Sequence, residues 1–251
     1  MTTISLPTKL KKEPIVEVIC EIQLSSKAAF SQVMPGFLYS KLDGEKVIET
    51  PAHGTLPPEL IAMNPQLKFN PTSSLIWNGY SIAFSNHSIQ IRCVQPYPGW
   101  SKFKAIIEKI VQVIVESDTV DKISRYSLKY VDLVCVDTPE LRVKHTSLKL
   151  KLGRFELKNQ NYQTQIEIKV KGIIHLIQLI APVTVSNKTD NNTKTGTLIS
   201  TDSIVIKNFE DVSSFSDELS NNLDILHREN KVIFFECLSK EGVESMEPIY
   251  E

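Results

Sequence analysis

The sequence predicts an α+β fold, and three patterns support this class. Residues 14–24 are dominated by β-branched side chains, which favour a strand. Between Trp100 and Glu116, apolar side chains recur at helical spacing and form one stripe. Further along, Leu148, Leu150 and Leu152 alternate with lysines, which is typical of a strand with one apolar face. Strands and helices are therefore expected in the same chain.

The first half reads in the order β-α-β-β-α-β. Its strands are predicted at residues 14–24, 75–84, 88–94 and 123–136, and a helix follows the first and the third of them. This is the order of a ferredoxin-like unit, in which the first and last strands lie side by side and antiparallel. Residues 1–138 are therefore predicted to form a ferredoxin-like half.

Residues 139–251 are predicted to form a second antiparallel sheet with a long C-terminal helix. A hairpin is expected to turn at Lys171-Gly172. After Asp211, apolar side chains recur every three, four or seven residues, which predicts one helix to about residue 238. We expect this half to pack with the first as one unit.

The composition excludes several classes of protein. The 251 residues include 28 basic and 29 acidic side chains, so the overall basic excess of many nucleic-acid-binding proteins is absent. The first residues lack the basic and apolar regions of a signal peptide, and no apolar run approaches the roughly 20 residues of a membrane span. We therefore predict a cytoplasmic protein without membrane association.

The four cysteines are far apart in the sequence, so the CxxC spacing of metal and redox sites does not occur. Each lies in an apolar run, which predicts buried free thiols in a reducing compartment. The cysteines are Cys20, Cys93, Cys135 and Cys237.

Four charged residues of the first half are predicted to share one face of its sheet. Glu17 and Glu21 alternate with apolar residues in the first strand, as Arg125 and Lys129 do in the last. If these strands are neighbours, the glutamates should face the two basic residues across the ladder. One interpretation is structural ion pairing, and the other is a ligand or partner site on this charged face.

A basic cluster marks the second half, with Lys149, Lys151, Lys169 and Lys171 as its main members. One interpretation is a solvated strand face. The other is contact with the phosphates of RNA or DNA, although few aromatic side chains lie nearby for base stacking.

Motifs of catalysis and cofactor binding are absent from the sequence. No HxH, HxxxH or HExxH spacing, no G-x-S-x-G and no glycine-rich phosphate loop occurs. We therefore predict no catalytic residue, no metal site and no cofactor.

Three stretches carry a resemblance. Pro14–Ile22 is similar to the motif P-I-x-E-x-x-x-E-I/L, Tyr97–Phe103 to aromatic-x-x-W-x-x-F, and Arg125–Asp132 to R-x-G-L-R-Y-I-N. Leu226-His227 is a weaker fourth match. Together they resemble a sporadically distributed, uncharacterised family of prokaryotic proteins. The chain departs from that pattern with Ser127 for glycine, Lys129 for arginine and Asp132 for asparagine.

The resemblance implies no established activity, but the patchy distribution of the family implies mobile or defence-related gene neighbourhoods. We therefore favour a non-enzymatic binding or regulatory protein that acts through a protein partner. A homodimer is also expected to be accessible, because edge strands can pair between chains. The alternatives are an enzyme with a dispersed polar site on the Glu17, Glu21, Arg125 and Lys129 face, and nucleic-acid binding through the basic cluster.

Overall fold

The computed structural model describes residues 6–50, 60, 63–94, 96–136, 138–186 and 193–250. Helices and antiparallel strand pairs occur together, which confirms the α+β class. Within these residues, no helix is both long and apolar enough to cross a membrane.

The described residues form the following elements. The strands are β1 (Lys9–Leu10), β2 (Ile15–Ser26), β3 (Lys46–Glu49), β4 (Ser73–Trp77), β5 (Tyr80–Phe84), β6 (Ser88–Val94), β7 (Val120–Cys135), β8 (Lys151–Leu152), β9 (Phe155–Glu156), β10 (Tyr162–Val170), β11 (Ile173–Ser186), β12 (Thr193–Phe209) and β13 (Pro248–Ile249). The helices are α1 (Phe30–Lys41), α2 (Trp100–Ser117), α3 (Pro139–Lys144), α4 (Val212–Glu236) and α5 (Lys240–Ser245), with a 3-10 helix at Pro65–Phe69.

The main sheet has nine strands in the order β10-β11-β12-β7-β2-β6-β5-β4-β3, and the predicted ferredoxin-like arrangement is not confirmed. The prediction of a second sheet for the second half is wrong, because β10, β11 and β12 belong to this same sheet. The predicted neighbourhood of the first and last strands of the first half is confirmed, because β2 lies beside β7. They run antiparallel, since Ser26 of β2 bonds Thr119 just before β7, while Glu21 reaches Arg125.

The strand predicted at residues 75–84 is two strands, which corrects the sequence analysis. Asn78 and Gly79 both have positive φ, 47° and 83°, and join β4 to β5 in a two-residue hairpin. An Asn-Gly pair is a strong signal for this turn, because both residues tolerate the left-handed conformation.

Contacts divide the chain into two compact units, and neither is a continuous stretch. Unit 1 comprises Met1–Val16, Lys129–Ser203 and Arg228–Glu251, and unit 2 comprises Glu17–Leu128 and Ile204–His227. The predicted boundary after residue 138 thus lies inside unit 1. The chain passes between the units within β2, β7, β12 and α4.

In unit 2, helices cover one face of the sheet. Phe30 of α1 lies 6.1 Å from Phe84 of β5, measured between ring centroids, and Phe103 of α2 lies 6.3 Å from Tyr80. The buried face of β2, with Val18, Cys20, Ile22 and Leu24, is the wholly apolar face that alternation predicts. Its other face carries the glutamates.

In unit 1, the end of α4 contributes to an apolar cluster with the sheet. Ile233, Phe234 and Phe235 of α4 belong to one cluster with Ile177 of β11 and Ile199 of β12. The turn at Lys171-Gly172 and the long helix are both confirmed.

All four cysteines are free, but they are not all buried. Cys20 and Cys93 are buried as predicted, Cys237 is half-buried, and Cys135 is exposed. Cys135 is the last residue of β7, where the apolar run of the strand ends.

Candidate functional site

The polar face of unit 2 holds a network centred on the carboxylate of Glu21. Gln23 Nε2 and Arg125 Nη1 donate to Oε1 at 3.0 and 2.5 Å, and Gln90 Nε2 donates to Oε2 at 2.8 Å. Three adjacent strands supply these groups, and the β2–β6 register places Glu21 directly opposite Gln90. The carboxylate is therefore held by donors from three directions.

The four charged residues that were predicted to share one face do not all pair with one another. Glu21 and Arg125 form the expected pair, with each side chain 18% exposed. Glu17 instead faces Arg92 of β6, with 3.6 Å between Oε1 and Nη1, since Arg92 lies diagonally opposite in the register. Lys129 belongs to unit 1 and forms no ion pair with the residues that the structure describes.

Arg92 and Gln90 are functional candidates that the sequence analysis missed. Arg92 Nη2 donates to Gln90 Oε1 at 2.6 Å, so the network runs from Glu17 through Arg92 and Gln90 to Glu21. Both residues alternate with buried Ile89 and Ile91 in β6. That alternation is the sequence signal that could have placed them on the glutamate face.

An open cleft of about 620 Å³ lies over this network within unit 2. Glu21, Gln90 and Arg125 line it together with Lys68 and Phe69 of the 3-10 helix. Its volume falls in the range of small-molecule sites, and its polar lining suits a ligand rich in hydrogen-bonding groups.

The charge at the rim of the cleft is positive. The Lys68 ammonium lies 4.9 Å from the ring centroid of Phe69, and this ring packs edge-on against His87. Burial and the positive charge of Lys68 together lower the pKa of His87. Because Arg125 offsets the charge of Glu21, the cleft favours an anionic group near Lys68.

The main basic residues of the second half are dispersed over unit 1. Lys149 precedes β8, Lys151 lies within it, and Lys169 is exposed on β10. Lys171, in the turn between β10 and β11, bonds both carboxylate oxygens of the buried Glu229 at 3.0 Å. The structure therefore gives Lys171 a structural partner.

The β8–β9 hairpin presents an apolar face that the sequence analysis did not predict to be exposed. Leu152 faces Phe155 across the two-residue turn, and Leu157 donates its backbone N–H to Leu150. These four side chains therefore share one face. Leu150, Leu152 and Phe155 are 48%, 78% and 67% exposed.

Basic residues lie on the same hairpin, and Lys149 and Lys151 alternate with the leucines, so they point to the opposite face. Lys149, Lys151, Arg154 and Lys158 are exposed, and Glu156 is the acidic residue of the hairpin. Arg154 lies 5.2 Å from the centroid of the Phe155 ring. The combination of exposed leucine and phenylalanine with a basic residue in the turn is typical of a docking surface.

The residues of the resemblance meet in pairs. Glu21 from the first stretch bonds Arg125 from the third, as described above. Trp100 from the second stretch stacks on His227 from the fourth, with 4.4 Å between ring centroids, and Trp100 Nε1 donates to Asp224 at 2.9 Å. Both pairs lie in unit 2.

The described residues contain few other clusters of side chains that would indicate catalysis. Among the described residues, no group of three histidine, cysteine or acidic side chains could hold a metal ion. His175 Nδ1 and Ser203 Oγ lie 2.9 Å apart, and Asn230 donates to Ser203, but all three side chains are buried inside unit 1. Their burial gives a substrate no access.

Comparison with known proteins does not assign this chain. Neither the models of known protein families nor the curated proteins include a match to it.

Proposed function

We propose that the protein is a non-enzymatic binding protein that acts through a protein partner. The observation that carries this proposal is the exposed apolar face of the β8–β9 hairpin, with Leu152 at 78% and Phe155 at 67% exposure. Exposed leucine and phenylalanine gain about 2 kcal/mol each when a partner buries them, so such a face favours association.

The basic residues of this hairpin indicate the chemistry of the partner. Exposed Arg154 lies against the Phe155 ring, and exposed Lys149, Lys151 and Lys158 neighbour the apolar residues in sequence on the same hairpin. A partner segment with apolar anchors and acidic flanking residues complements both features. We propose that the partner is a protein encoded beside this one, in the defence-related or mobile gene cluster that the resemblance implies, and that both proteins act in the cytoplasm.

The test is capture from the native host with two matched baits. The variant Leu152→Ser/Phe155→Ser removes the face, while Val47→Ser/Ile48→Ser changes two apolar side chains of β3 that are 56% and 49% exposed. We expect a protein that binds the wild type and the β3 variant, and whose measured Kd rises at least about tenfold with the hairpin variant. Equal affinity for both variants would contradict the proposal.

A parallel test asks whether the partner is a nucleic acid. Gel retardation of single-stranded or duplex DNA and RNA at low salt, abolished by Lys149→Ala/Lys151→Ala, would replace the protein partner with a nucleic acid.

The second candidate function is a small-molecule site in the cleft over Glu21, which an enzyme would also require. The observation that favours it is the convergence of Glu21, Gln90, Arg125 and Lys68 around about 620 Å³. Thermal unfolding with AMP, glucose 6-phosphate or glutamate at millimolar concentration tests it. A rise in Tm that Lys68→Ala removes would support this function, and no rise with any of the three would count against it.

A ferredoxin-like origin of the first half is also part of the proposal. The order β7-β2-β6-β5 supports it, because the first strand of a ferredoxin-like sheet lies between the third and the fourth. β4 and β3 would then be additions at one edge.

A further inference from the structure

β10 ends the main sheet with a long open edge. It spans nine residues, and all nine pair with β11, whereas β3 at the opposite end of the strand order has four residues. Natural proteins usually protect such edges by shortening them or by adding proline, because open backbone groups attract another strand. β10 contains no proline.

The turn determines which backbone groups of β10 point outward. Lys171 and Gly172 have φ of 51° and 83°, as in a type I′ hairpin, in which Val170 and Ile173 form a hydrogen-bonded pair. Hydrogen-bonded pairs alternate along an antiparallel ladder. The even-numbered residues of β10 therefore bond β11, and the odd-numbered ones direct N–H and C=O away from the sheet. These odd-numbered residues are Gln163, Gln165, Glu167 and Lys169.

The open backbone groups of β10 have no other backbone partner in the part of the chain that the structure describes. Two apolar side chains of this strand are also uncovered, since Ile166 is 49% and Val170 is 37% exposed. The open backbone groups and the exposed apolar side chains thus both make β10 available for pairing with another strand.

The side chains of β10 are complementary to a second copy of the strand. An antiparallel pair with its two-fold axis at Ile166 places Gln165 opposite Glu167 and Gln163 opposite Lys169. No like charges then lie directly opposite, whereas an axis at Glu167 would place two carboxylates together. The apolar face pairs Ile166 with itself and Tyr162 with Val170.

We propose that two copies of the chain form a two-fold dimer in which their β10 strands pair antiparallel, with Ile166 facing Ile166. The odd-numbered residues of both copies then form about eight backbone hydrogen bonds across the axis. The pairing covers Ile166 and Val170 and joins the two sheets edge to edge. This dimer is independent of the partner proposed for the β8–β9 hairpin.

Cysteine trapping tests the register in the full chain. Exposed Cys135 is first replaced by serine, while burial raises the pKa of Cys237 to about 12 and keeps that thiol unreactive. Two residues at the axis form a non-hydrogen-bonded pair, whose α-carbons are about 4.5 Å apart and can be bridged by a disulfide.

We expect Ile166→Cys to form a disulfide-linked dimer at least about tenfold faster than Ile168→Cys or the collision control Leu152→Cys. Faster linkage of Ile168→Cys would overturn the register. Equal rates for all three variants would overturn the pairing itself.

Sedimentation provides an independent test without cysteine chemistry. Glu167→Pro removes an outward N–H from the centre of the strand and leaves the bonds to β11, because that N–H does not take part in them. Glu167→Ala keeps the N–H and serves as the matched control. We expect a concentration-dependent dimer for the wild type and Glu167→Ala and a monomer for Glu167→Pro. A monomeric wild type at about 200 μM would overturn the dimer.

Discussion

The Glu21 network of unit 2 and the β8–β9 hairpin of unit 1 differ in the groups that the fold leaves uncovered. Glu21 is 18% exposed and accepts hydrogen bonds from Gln23, Gln90 and Arg125, whereas Leu152 is 78% exposed. A buried polar group without a partner costs about 1–3 kcal/mol of folding stability, while an exposed leucine costs almost none. The fold thus satisfies its polar face internally and can leave an apolar face for a partner.

Asp132 of β7 is the opposite case, because it is a buried carboxyl group whose pKa is raised by burial. Its side chain is 3% exposed, and burial raises its pKa to about 8. The folded state therefore holds a proton that an unfolded aspartate, with a pKa of about 3.9, releases. The stability from this proton is fully present below about pH 4 and is lost as the pH rises through 8.

We expect Asp132→Asn to have the largest effect, because asparagine removes this loss. The gain in free energy of unfolding over the wild type should grow from near zero at pH 4 to on the order of 5 kcal/mol at pH 8. Urea unfolding across this pH range measures it. A gain that does not depend on pH would show that the carboxyl does not titrate upon folding.

The Glu21 pair should give an intermediate effect. Arg125→Ala removes one of the three donors to Glu21, and we expect a loss of about 2 kcal/mol in urea unfolding. The matched control is Lys122→Ala in the pair Lys122–Glu210, whose side chains are 56% and 73% exposed, with an expected loss below about 0.5 kcal/mol. Similar losses of unfolding free energy in both variants would show that the Glu21 network stabilises the fold no more than an exposed ion pair does.

The hairpin should give the smallest effect on stability. We expect Leu152→Ser/Phe155→Ser to change the free energy of unfolding by less than about 0.5 kcal/mol, since neither side chain is buried. Retention on a hydrophobic column should fall at the same time. Leu179→Ser, at a core position with 3% exposure, should instead lose about 3 kcal/mol or more. A large loss in the hairpin variant would mean that its apolar face supports the fold.

Part of the candidate site follows from alternation along single strands. The contact between Glu21 and Arg125 could be predicted, because alternation shows which residues share a face and the element order indicates which strands are neighbours. The pairing of Glu17 with Arg92 could not be predicted, because a diagonal contact depends on the exact register of β2 and β6, which no local pattern specifies. The Asn78-Gly79 pair is a sequence signal for a hairpin turn, and two strands were merged into one because the prediction did not use it.

The sequence by itself determined the α+β class, the amphipathic helices, the hairpin at Lys171-Gly172 and the alternation of Leu150 and Leu152 with lysines. Only the tertiary structure decided that nine strands share one sheet, that the leucine face of the hairpin stays exposed, and that β10 is an edge. The physical reason is range. Periodicity arises from the geometry of neighbouring residues, whereas burial and strand order depend on contacts between residues far apart in the chain.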